Sequence, residues 1–284
     1  MNDQMDDSQD AAPISESTIG EQIKYWRNRS RISQMDLALD CDTSSRHLSF
    51  VETGRAHPSR KLLLFLIQIM QVPLRARNSM LMSAGYAPLY EETGLSEPEM
   101  DQVRSMLHTL VRQNDPYPSM LIDRHWNILE SNIGFKLMCN TFVNNPERLA
   151  AKPLNLVRCF LDPECLGNSV VNYAEMFDTM VNRAKRLMNI MGGDPDSRQL
   201  LEDVSGYHLR KGLEVASDLP QLVMPLRLKK GNKEVSLFTM VASMGAPLNV
   251  TLQELQLEIG LPMDEVSNVF LHDLVKGASS HEGI

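Results

Sequence analysis

The sequence predicts two domains of different class: an all-α, five-helix N-terminal domain and an α+β C-terminal domain. Three observations lead there. Between residues 19 and 88, apolar side chains recur at helical spacing in short runs separated by capping residues and helix stops. At Pro116-Tyr117-Pro118 the texture changes, and strand-length apolar runs then flank helical stretches. Charge is also partitioned: the chain carries a net −8, yet residues 19–77 hold ten Lys/Arg against five acids. A length of 284 residues suits two modest domains.

The elements follow in order. Residues 1–18 hold Asp3, Asp6, Asp7, Asp10 and Glu16 with no basic residue, and read as a disordered acidic tail. Ile19, Ile23 and Trp26 mark the first helix. Ser33 caps a second, with Asp36 as half of a capping box. Asp42 occupies a tight turn that needs a positive φ. Ser44 caps the third helix, which Gly54 stops. Pro58-Ser59 opens a strongly apolar fourth helix, and Pro73 separates a fifth running from Leu74 to Ala84. The domain spans 19–88. Residues 89–115 form a linker with one amphipathic helix, whose face carries Met100, Val103, Leu107, Leu110 and Val111.

The domain at 116–278 begins with a hairpin over 119–131 that turns near Asp123-Arg124-His125. Helices are expected at 132–143, 170–191 and 195–206, with Gly192-Gly193 as a helix stop. Strands are expected at Leu222–Leu228, Glu234–Met244 and Thr251–Glu258, with a turn at Lys230-Gly231-Asn232, and a last helix from Met263 to Lys276. Together these predict one antiparallel sheet with helices on one side.

Several classes are disfavoured. No apolar run reaches the roughly 20 residues of a bilayer span, and no basic n-region precedes an apolar stretch; a cytoplasmic protein without membrane contact is expected. Cys41, Cys139, Cys159 and Cys165 show no CxxC pair and read as reduced thiols, a redox sensor being the alternative. His108, His125, His208 and His272 are scattered, so no metal site and no cofactor are expected. GxSxG, Walker and HExxH strings do not occur, and the chain is read as a non-enzyme.

The informative stretch runs from Ser33 to Arg55. Two helices crossing steeply need a small residue at the contact, which Ala38 supplies, while Leu37, Leu48 and Val51 fill their shared core. The N-terminal face of the Ser44-capped helix is left free to enter a DNA major groove. Ser44, Ser45, Arg46 and Ser49 lie there, with Phe50 at the edge. Arg46 can bind guanine bidentately, worth roughly 1–3 kcal/mol of discrimination, and Phe50 can meet a thymine methyl. Gln34, at the preceding helix start, can hold a phosphate; Arg55 and His57, in the following loop, are further phosphate candidates. The local excess of basic residues agrees, because phosphate attraction depends on the field at the contact face.

This stretch resembles the lambda-repressor/Cro-type helix-turn-helix domain of the XRE family. The string from Ser44 to Arg60 resembles the MmyB-like subgroup of regulators. The likeness continues through Val72-Pro73-Leu74-Arg75, Ala84-Gly85-Tyr86-Ala87-Pro88, Asp123-Arg124-His125-Trp126-Asn127, Pro225-Leu226-Arg227-Leu228 and Thr251-Leu252-Gln253-Glu254-Leu255. The resemblance implies a lambda-repressor-like N-terminal fold and a PAS-like C-terminal domain that holds a small hydrophobic ligand such as a fatty acid. It also implies an ion pair from Arg27 to Glu52, tying the first helix to the third. The chain departs from the family pattern at Leu161, where a His is usual, and at Tyr173, where a Trp is usual.

Of the 18 methionines, many in the second domain fit either ordinary core or an adaptable apolar cavity. The candidate pocket comprises Trp126, Phe135, Met138, Phe177, Phe238 and Met240, with Arg158 or Arg227 available to a ligand carboxylate. The resulting expectation is a sequence-specific, ligand-responsive regulator that binds double-stranded DNA as a homodimer. Two alternatives stand beside it: a DNA-binding regulator with a ligand-free dimerisation domain, and an enzyme fused to a DNA reader.

Overall fold

In a computed structural model, the described residues are 17–150, 152–191, 195–210 and 224–279. The expected acidic tail up to residue 16, the Gly192-Gly193 stop and the start of the strand placed at 222–228 lie outside them. The chain divides into two compact units, one formed by residues up to Glu91 with Met188–Asp194, the other by Glu92–Leu187 and Pro195–Ile284.

The described part of the first unit contains five short helices: α1 (Ile19–Arg29), α2 (Gln34–Asp40), α3 (Ser45–Glu52), α4 (Arg60–Ile69) and α5 (Leu74–Ser83). Four of them start on hydroxyl caps. Thr18 and Glu21 form a reciprocal capping box on α1, and Ser33, Ser44 and Ser59 accept the N–H groups of Asp36, His47 and Leu62. Each cap satisfies an otherwise orphaned donor and typically contributes about 1 kcal/mol. Asp42 adopts φ 51° in the α2–α3 turn, as its position requires, and Gly54 adopts φ 73° after α3. Ile23, Trp26, Leu37, Ala38, Leu48, Val51, Leu63 and Leu66 are buried together. Asn78 accepts the N–H groups of Leu89 and Tyr90 near the unit's end.

The second unit is built on a five-stranded antiparallel sheet of order β2-β1-β5-β4-β3. Its strands are β1 (Ser119–Ile122), β2 (Ile128–Ser131), β3 (Pro225–Lys230), β4 (Lys233–Ala242) and β5 (Gln256–Pro262). The β1–β2 turn is organised by Asp123, whose carboxylate accepts from the backbone N–H groups of His125 and Asn127. Gly231, at φ 62°, makes the two-residue β3–β4 hairpin possible.

Helices α7 (Ile133–Phe142), α8 (Leu156–Leu161), α9 (Tyr173–Met191) and α10 (Pro195–Arg210) intervene between β2 and β3. They share one buried core with Met120, Ile122, Leu226, Leu228, Val235 and Leu237 of the sheet. α12 (Glu265–Ser279) adds Leu271 to that core.

Three expectations are corrected. Helices cover both faces of the sheet: α6 (Asp101–Arg112) packs Leu107 and Val111 against Leu121 of β1, which points away from Met120 and Ile122. The strand expected at 251–258 is displaced, because Asn249 caps a short helix, α11 (Val250–Glu254), and β5 starts only at Gln256. Leu110, placed on the apolar face of α6, is instead exposed. α8, capped by Asn155, was not anticipated.

Candidate functional site

Two places bring functional side chains together, one in each unit. In the first unit, the buried face of α3 carries Leu48, Val51 and Glu52, which fixes the rotation of the helix. Ser44, Ser45 and Arg46 are consequently exposed at its start, with His47, Ser49 and Phe50 half-buried behind them. The Arg46 guanidinium lies 5.5 Å from the centre of the Phe50 ring, which supports the cation while leaving it in solvent. Arg55 and His57 are exposed in the loop beyond, His57 edge-on to Tyr86.

The base of this face is held by a buried ion pair. Arg27 Nε donates to Glu52 Oε1 at 2.6 Å, and Arg27 Nη2 donates to Glu52 Oε2 at 3.2 Å. Gln34 Nε2 also donates to Oε2, at 2.9 Å, and Arg27 Nη1 donates to the Ile32 carbonyl at 3.1 Å. The Gln34 side chain, expected on a phosphate, is therefore engaged by Glu52. Gly20 allows this approach: a Cβ there would lie 2.5 Å from Val51 O and 2.7 Å from Glu52 O.

In the second unit, a cavity of about 320 Å³ opens between the sheet and its helices. Its apolar wall comes from Met120, Leu226 and Leu237 of the sheet and from Met138, Phe160 and Met180 of the helices. Among the described lining residues the charged ones are Arg183 and Glu258. Arg183 sits on α9 three residues after Met180, on the stripe that also buries Met176. Its Nη2 reaches Gln256 Oε1 at 2.7 Å and Glu258 Oε1 at 2.6 Å, and its guanidinium stacks 4.2 Å from the centre of the Trp126 ring.

Glu258 is only 4% exposed. Its buried Oε1 lies 2.6 Å from Arg183 Nη2, an ionic contact outside the geometry of a well-aligned hydrogen bond. Burial pushes its carboxyl pKa above the usual 4.5, an effect partly opposed by Arg183.

Of the pocket residues expected from sequence, Met138 and Phe238 line the cavity. Trp126 reaches it through Arg183, on which it stacks. Phe135 and Phe177 are buried in the adjoining core without lining it, and Met240 is exposed on the strand. Neither arginine proposed for a ligand carboxylate lines the cavity: Arg158 pairs with Asp203, and Arg227 is exposed on β3. Arg183 and Glu258 were missed. The available signal was an arginine in register with Met176 and Met180, and a glutamate on the inward phase of a strand.

The two departures from the family pattern are neighbours, the Tyr173 hydroxyl donating to the Leu161 carbonyl at 2.8 Å. Three cysteines are buried in the same core, with Cys159 Sγ 3.4 Å from Cys165 Sγ. Among the described residues no group of His, Cys, Asp or Glu has the arrangement of a metal site, and no helix is long and apolar enough to cross a membrane.

An apolar, partly charged cavity between a sheet and its helices is the kind of place where small molecules bind in proteins. Residues 103–274 match the family model described as MmyB-like transcription regulator ligand binding domain. That match covers well over half of the chain, and the chain belongs to this family. No curated protein matches it.

Proposed function

We propose that the chain is a ligand-responsive transcription regulator that reads double-stranded DNA with α3. The α2–turn–α3 unit acts as a lambda-repressor-type helix-turn-helix, and the second unit as a PAS-like receptor for a small hydrophobic ligand such as a fatty acid. The observation that supports DNA reading is the orientation of α3: Glu52 and its partners anchor one face, while Ser45 and Arg46 stand free on the other. A homodimer is proposed because one short helix buries little surface. Two half-sites separated by about 34 Å would combine their binding free energies. The family membership supports the regulatory reading. A ligand-free dimerisation domain would leave the cavity without a purpose.

The test is selection of bound duplexes from a random library by the full chain, followed by titration of the enriched sequence. Affinity should fall linearly on a logarithmic salt scale. Arg46→Ala should relax preference at one base pair by roughly 1–3 kcal/mol. No enrichment, or an affinity indifferent to both changes, overturns the docking.

A further inference from the structure

The outer face of the sheet, on the side away from the cavity, is covered by α6 at one end and bare beside it. Directly paired residues share a face of a sheet. Leu121 pairs with Leu257 and Leu257 with Ala242, while Ile259, two residues along β5, pairs with Met240; all of them lie on the side where α6 packs. α6 itself sits over β1, and its His108 Nε2 lies 3.1 Å from Glu130 Oε1 of the edge strand β2. At about 100° per residue, Met106 and Leu110 occupy the flank of α6 opposite to His108, and so overlook β5 and β4. Met106 is 60% exposed, Leu110 48% and Met240 51%; Ala242 is also exposed, and Leu257 and Ile259 are half-buried. The helix flank and the strands beside it form one apolar corner. Single apolar side chains are ordinary on a surface, whereas a contiguous patch marks an interface.

None of these six side chains is charged, and Arg104 and His108 of α6 are paired within the chain, with Asp101 and Glu130. Such a face does not attract a polyanion or an anionic lipid surface. Copies of a chain with net charge −8 repel one another, and an uncharged face is where two of them can meet. The size agrees. Two strands about 4.8 Å apart and a helix about 10 Å across, each about 20 Å long, give roughly 400 Å² in projection, and more once side-chain relief is followed. Each partner of a standard homodimer interface buries about 800 Å², of which roughly 500 Å² is apolar. The shape agrees as well, because a two-fold contact needs a surface complementary to itself. Here the α6 flank of one copy can cover the bare strands of the other and be covered in return. We infer that this corner is where a second copy of the chain docks, about a two-fold axis passing beside the α6 flanks. The inference rests on the homodimer proposed above and locates its contact.

Sedimentation equilibrium of the full chain and of Leu110→Glu and Met240→Glu tests it. The parent should sediment as a dimer. Both positions are exposed, so each variant should keep the parent's far-ultraviolet circular dichroism. Each brings two carboxylates, one from either copy, into an apolar contact, and the dissociation constant should rise about a hundredfold or more. Val266→Glu, at an exposed apolar position of α12, should leave the dimer unchanged. A dimer that survives both substitutions in the corner overturns the inference and leaves the homodimer to form on another face. Equal dissociation by Val266→Glu also overturns it, since added charge rather than the corner would be the cause. A parent that is monomeric at every concentration overturns the homodimer and this inference together, and the corner would then serve a different partner.

Discussion

Each unit of the molecule buries an arginine–glutamate pair with a closest approach of 2.6 Å, and the two pairs are finished differently. Glu52 has both oxygens filled, by two nitrogens of Arg27 and the amide of Gln34, and Arg27 spends a further N–H on a carbonyl. Glu258, beside a cavity, meets Arg183 Nη2 at one buried oxygen in an ionic contact outside well-aligned hydrogen-bond geometry. A low dielectric strengthens a satisfied network and penalises an incomplete one. The first pair is therefore built to hold three segments of chain in one arrangement. The second is a less completely hydrogen-bonded pair in the wall of a cavity. Residue type and distance alone would have called them equivalent; hydrogen-bond completeness separates them.

The comparison predicts unequal costs. The largest effect should come from Glu52→Ala, which leaves Arg27 and Gln34 facing an empty buried site. Loss of one partner from such a pair costs on the order of 3–5 kcal/mol. Urea denaturation of the full chain should show the first unit's transition shifted by that amount, and DNA binding should disappear with it. A variant as stable as the parent that fails only on DNA would mean that Glu52 is not a structural residue.

Gly20→Ala should rank next. Its Cβ would press on the backbone carbonyls of Val51 and Glu52, which cannot rotate away as a side chain can. Moving α1 off α3 would lengthen the Arg27–Glu52 contact, and overpacking of this kind costs roughly 1–3 kcal/mol. The same denaturation experiment measures it; an unchanged midpoint would show that the close α1–α3 approach is not needed to hold the pair.

The first unit was largely legible in the sequence because its determinants are local. Ser33, Ser44 and Ser59 each lie within one turn of the N–H group that they cap. Asp42 declares its turn by position, and the ion pair followed from a family resemblance. The second unit was legible as a list of elements, and less so as a site. α8 is six residues long, too short for periodicity to be seen, and Asn155 was its remaining signal. The run from Thr251 was read as strand because its apolar spacing fits either state, until the Asn249 cap decides for a helix. Arg183 and Glu258 meet only because α9 crosses the sheet over β5, and no local pattern contains that crossing. Aromatic and methionine content pointed to the core beside the cavity; the arginines chosen with it, Arg158 and Arg227, lie off the cavity wall, because their placement depends on pairings made far along the chain.

The smallest stability effect should belong to Glu258→Gln, and it is the sharpest test of the contrast. Burial raises the folded-state pKa of Glu258 above its unfolded value, near 4.5, so the native state holds the proton more tightly than the unfolded chain does. The stabilisation from that difference is fully present below 4.5 and is lost as pH rises through the higher folded value. Glutamine cannot ionise, so the variant should lack this decline, and the second unit's urea midpoint should be flatter with pH than the parent's. At neutral pH the change should stay within about 1 kcal/mol, because the amide oxygen can still accept from Arg183. Gln256 and Trp126 continue to hold the guanidinium. A cost as large as that of Glu52→Ala, with the pH slope intact, would make the two pairs alike. Glu258 would then be a strut, as Glu52 is.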